Sequence, residues 1–129
     1  MELENKVLQI LVKKKRELED TQKRINNMLN KPLAEEEGEG LLNWKCDVHI
    51  EWTMVRDDII ELYSLIAKKK ELESKLYTLK KAEVQEGYNE ERQIKVLGIL
   101  KEISDLNYIF RNWWDEIKPK ENTGRRVRR

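Results

Sequence analysis

Apolar residues recur at intervals of three and four through almost the whole chain. That regularity restricts it to long amphipathic helices. It is clearest late in the sequence, where Ile99, Ile103, Leu106, Phe110, Trp113 and Ile117 advance in alternating steps of four and three, with Val96, Leu100 and Ile109 widening the stripe. Near the start, Val7, Leu11, Leu18, Ile25 and Met28 share one face, flanked by Leu8 and Leu29. Between them, Leu41, Trp44, Val48, Trp52, Val55, Ile59, Leu62 and Ile66 keep the spacing, and Leu72, Leu76 and Leu79 carry it on. Lys68, Lys69, Lys70, Lys75, Lys80 and Lys81 fall outside this stripe by the same reading. The pattern predicts an all-α fold: a three-helix antiparallel bundle or coiled coil with a long middle helix, spanning about 3–30, 41–86 and 89–117.

Breakers fix the boundaries. Pro32 disfavours helical geometry at Lys31, and the following run PLAEEEGEG reads as an acidic linker over 32–40, with two Gly and four like charges. Gly87 suits a left-handed cap at the end of the middle helix. Asn89 suits the next N-cap, with Glu90 and Glu91 complementing the helix dipole. Gly98 costs about 1 kcal/mol of helix propensity against Ala and admits a close helix crossing. Pro119 ends the last helix, leaving 1–117 as one helical domain and 118–129, KPKENTGRRVRR, as a disordered basic tail. At 1.5 Å per residue the outer helices span about 40 Å and the middle one about 65 Å, so apolar stripe is left uncovered and self-association is the remedy. Lys14 and Thr21 at core positions would set register.

One stretch also fits a strand. Trp44, Cys46, Val48, Ile50, Trp52 and Met54 are apolar, while Lys45, Asp47, His49, Glu51 and Thr53 between them are polar. The absence of a turn signal before the helical residues beyond 54 favours helix. A strand at 44–54 pairing across a dimer is the alternative.

Composition narrows the class. Of 129 residues 40% are charged and 39% hydrophobic, so no run approaches the roughly 20 apolar residues of a membrane-spanning helix. Charges at Glu2, Glu4 and Lys6 argue against a secretory signal, and the lone Cys46 excludes an internal disulfide. These features point to an intracellular protein, cytoplasmic or nuclear. The net charge of +1 conceals a tail with six basic residues against one acidic.

Four groups carry candidate chemistry. On a strand, Asp47, His49 and Glu51 would share one face and offer ligands to a divalent cation, or simply form the solvent face of an amphipathic element; on a helix Asp47 and Glu51 stay neighbours while His49 points elsewhere. Cys46 reads as a small buried hydrophobic residue rather than a nucleophile, since no third group orients His49 beside it. Trp44, Trp52, Trp113 and Trp114 offer large rigid contact area. Trp114 lies about 100° from the stripe that holds Trp113. Arg125, Arg126, Arg128 and Arg129 suit a phosphate backbone or an acidic partner, without base readout.

The run VRDDIIELYSLIAKKKEL, followed by Lys80, Arg92 and VLGIL, loosely resembles the all-helical chorismate mutases over residues 52–100. The resemblance implies Arg and Lys side chains converging on a dicarboxylate. The sequence departs from that pattern with Lys69 and Trp52 at two arginine positions, Asn89 for Asp and Gln93 for Glu. The expectation is therefore a protein with no catalytic residue, cofactor or metal and no small-molecule substrate. It would assemble with a second copy or a helical partner through Trp44, Trp52, Leu106, Phe110, Trp113, Trp114 and Ile117. A nucleic-acid-associated protein using the arginine tail is the alternative.

Overall fold

A computed structural model describes residues 2–119. Its helices are α1 (Leu3–Leu29), α2 (Glu35–Glu86) and α3 (Glu90–Ile117). The protein is all-α, its helices pack against one another, and no strand occurs among the described residues.

The doubtful stretch 44–54 lies within α2. Its alternation is explained by helix geometry. Residues two apart stand about 200° apart on a helix, so the even-numbered apolar residues form two separate i, i+4 rows. One row turns to the core, where Val48 is buried and Trp52 half-buried; the other, Cys46, Ile50 and Met54, is exposed. Cys46 is accordingly a surface residue, not the buried one its type suggests.

The proposed linker over 32–40 is corrected by the structure. α2 already begins at Glu35, where the Gly38 amide donates to the Ala34 carbonyl at 3.0 Å. Glu35, Glu36 and Glu37 occupy its first turn, where the positive end of the helix dipole favours carboxylates. That placement offsets the low helix propensity of Gly38 and Gly40. Only Asn30 to Ala34 lie between the first two helices.

The second connection forms as its residues dictate. Gly87 takes φ 84°, and its amide donates to the Glu83 carbonyl at 2.9 Å. Asn89 caps α3 by accepting from the Arg92 amide at 2.9 Å, while the Arg92 guanidinium donates to the Gly87 carbonyl and to Glu86.

Packing divides the chain into two compact units. The hairpin unit, Leu8–Leu65, is an antiparallel pair of α1 and the first part of α2. Its core is Leu11, Ile25, Val48, Val55, Ile59 and Leu62. The terminal unit joins the start of α1, through Val7, to the described residues from Ile66 onward. Its core is Val7, Ile66, Leu72, Val96, Leu106 and Phe110.

Within that core lie two charges. Lys69 Nζ is 2.6 Å from Glu4 Oε2 and 5.8 Å from the centre of the Phe110 ring. Lys69 is only 7% exposed and Glu4 3%, which corrects the placement of Lys69 outside the stripe. Burial pushes the Glu4 carboxyl up, but hydrogen bonds from Lys69 and the backbone reverse this and leave it below the usual carboxylate range. Burial likewise pushes Lys69 down, and Glu4 and Glu2 outweigh it, leaving the ammonium above its usual value.

Gly98 brings no helices into close contact. A Cβ there would meet no atom within 4 Å, and the glycine instead lines an open groove of about 570 Å³ with Leu72, Leu79 and Ile99. Gly98→Ala should therefore raise stability by about 1 kcal/mol, read as a higher urea midpoint at unchanged m.

Candidate interaction surfaces

Three surfaces stand out in the hairpin unit once its core is closed; in the terminal unit Val84, Tyr88, Ile94 and Leu97 are also exposed. The first is the outer row of α2 in the hairpin unit: Leu42, Cys46, Ile50 and Met54, spaced by four. Leu42 is 52% exposed, Ile50 59% and Met54 63%. Rows of this spacing are the ridges that interlock when two helices cross at about −50°.

The second lies at the hairpin tip. Met28, Leu33, Leu41 and Trp44 line a depression of about 500 Å³. Trp44 is 45% exposed there, so much of the indole is available to a partner.

The third is built around Trp52, on one side of the seam between α1 and α2. Its indole N–H donates to Glu19 Oε2 at 3.2 Å. That hydrogen bond, with the charges of Lys15 and Lys23, holds the Glu19 carboxyl below its usual range. Arg56 lies 5.2 Å and Lys15 5.6 Å from the indole centroid, and the His49 ring stacks on it at 5.8 Å and 17°. Beside it a groove of about 390 Å³ is lined by Lys15, Arg16, Arg56, Ile60 and Tyr63. On the opposite side of the seam, Lys14 pairs with Glu51 at 3.2 Å between two half-exposed side chains, a contact contributing about 0–1 kcal/mol.

The residues singled out by sequence are dispersed. Leu106 and Phe110 are buried in the terminal unit's own core, which removes them from its surface. Trp113, Trp114 and Ile117 are half-buried, and Lys6 sits 5.6 Å from the Trp114 ring. Arg125, Arg126, Arg128 and Arg129 lie outside the described residues. Asp47 and Glu51 stay one helical turn apart while His49 is turned to Trp52, and among the described residues no group of three or more His, Cys, Asp or Glu is placed to hold a metal ion. No described helix is long and apolar enough to cross a membrane.

The cations of the chorismate mutase likeness do not converge. Lys69 is held by Glu4, whereas Arg92 is tied to Glu86 and Gly87, about 25 Å further along α2 at 1.5 Å per residue. No protein-family model matches the chain, and comparison with curated proteins and with solved structures likewise found no match.

Proposed function

We propose that this protein is a non-catalytic helical interaction subunit, assembling with other helices through apolar side chains that its own packing leaves uncovered. The outer row of α2 carries this reading. Leu42, Ile50 and Met54 each keep half or more of their surface accessible, at the spacing one helix offers another. Covering the exposed part of each contributes about 1 kcal/mol. The half-exposed Trp44 at the hairpin tip adds the kind of rigid aromatic anchor that dominates interface energetics. A second copy of the chain is the first partner to test.

Light scattering after gel filtration of the full chain should show a salt-independent oligomer, because the row is apolar. Ile50→Asp places a charge in that row without touching a core, so the variant should run as a monomer with an unchanged far-ultraviolet spectrum. A wild-type chain that stays monomeric, fully helical and indifferent to Ile50→Asp would reject self-assembly.

A further inference from the structure

We propose that the basic side of the α1–α2 seam is a binding site for single-stranded nucleic acid. It would take phosphates on Lys15, Arg16, Lys45 and Arg56, and a base against the His49–Trp52 stack.

Two stripes build it. On α2, Lys45, His49, Trp52 and Arg56 advance by four, three and four, so they form one cationic and aromatic line. On α1, Val12, Arg16, Glu19 and Lys23 advance in the same steps, with Lys15 beside them. The two lines meet where Trp52 touches Glu19 and Lys15. Three cations, Lys15, Arg16 and Arg56, line one groove, and Lys45 continues the α2 stripe beyond it. Its one lining carboxylate, Glu19, is already engaged by the Trp52 indole and by Lys15 at 3.5 Å, and Asp57 beside it accepts from Arg56 at 3.1 Å. Lys15 and Arg16 lie level with Arg56, while Lys45 stands further along α2. Eleven residues of α2 separate Lys45 from Arg56, about 16 Å of helix, a span for several phosphates rather than one small anion.

The aromatic pair decides between anionic partners. An acidic peptide would use the cations alone. A single strand also offers flat bases, for which an exposed imidazole already stacked on an indole is a platform, and such stacking contributes about 1–3 kcal/mol per base. Arg16 suits a phosphate through its planar fork, and Arg56, whose Nε and Nη2 donate to Asp57, does so through its remaining N–H groups.

The test is fluorescence anisotropy of a labelled oligothymidylate with the full chain, from about 50 to 200 mM salt. Arg16→Gln/Arg56→Gln should weaken binding about tenfold and flatten the log–log salt slope by about 1.4, or 0.7 per cation removed. His49→Ala, at an exposed position, should weaken binding with no change of slope. Lys70→Gln/Lys101→Gln, an equal loss of exposed charge in the terminal unit, should leave affinity within about twofold. Circular dichroism checks that each variant is folded. Three outcomes overturn the proposal: no binding by the wild type, equal losses in both double variants, or displacement by polyglutamate at lower charge concentration than by unlabelled oligonucleotide. The last would assign the groove to an acidic protein instead. None of these results depends on self-assembly through the outer row.

Discussion

Lys69→Met will destabilise the fold by about 3–5 kcal/mol, because it leaves the Glu4 carboxylate buried without its counter-charge. Glu4 is 3% exposed and Lys69 donates to it at 2.6 Å, so water cannot substitute for the lost ammonium. The pair itself contributes far less than that figure. Desolvating two charges costs nearly what their attraction returns, and an apolar pair of similar volume is often as stable. Glu4→Leu/Lys69→Met should therefore recover most of the loss, and urea unfolding of the three proteins measures both statements. A single variant within about 1 kcal/mol of wild type would show the pair to be water-accessible.

The pH dependence has a definite sign. Glu4 titrates below its ordinary 4.5 in the folded chain, so its contribution is present above that value and is lost as pH falls through the depressed one. Lys69 titrates above its ordinary 10.5, so its contribution is complete below that value and disappears as pH rises through the elevated one. The pair's contribution to stability should be level between the two and decline at both ends. In Glu4→Leu/Lys69→Met both declines should be smaller.

The charged pair also shows where sequence reasoning stopped. Glu4 stands three residues before Val7, and Lys69 fills the six-residue gap between Ile66 and Leu72, so both occupy core positions of otherwise apolar stripes. The gap was visible in the sequence. A lysine is assigned to solvent unless its partner is known, and that partner lies 65 positions away. Local signals were more legible. The Gly87 and Asn89 caps depend only on neighbouring residues, and they formed as their chemistry requires. At the start of α2, Gly38 and Gly40 oppose helix while Glu35, Glu36 and Glu37 favour it at an N-terminus, and local rules alone do not rank the two effects. The period-two alternation is ambiguous for a related reason. Two i, i+4 rows on opposite helix faces generate it as readily as a strand does, and composition does not reveal which row meets α1. The Trp52 groove was hidden because half of it belongs to another helix. Trp52 and Arg56 met Lys15, Arg16 and Glu19 only once α1 lay across the seam.

Phe110→Ala will cost about 3–5 kcal/mol, the range for removing a fully enclosed aromatic ring. Phe110 has no accessible surface, and its ring also receives the Lys69 ammonium, so truncation removes packing and a favourable cation contact together. Trp113→Ala, three residues along the same stripe, removes a larger but half-buried side chain and should cost distinctly less. The heptad spacing of α3 treats the two positions alike; the structure does not. The difference extends to assembly. If apolar side chains outside the cores hold copies together, Phe110→Ala should lower the unfolding midpoint while the folded fraction keeps the wild-type oligomeric state. Ile50→Asp should do the reverse, leaving the unfolding free energy of the isolated chain within about 0.5 kcal/mol, as for exposed positions generally, while dissociating the oligomer. Thermal melts and light scattering on the same samples separate the two quantities. Parallel loss of stability and assembly in both variants would mean that folding and association are one process, and that the outer row of α2 is not an independent interface.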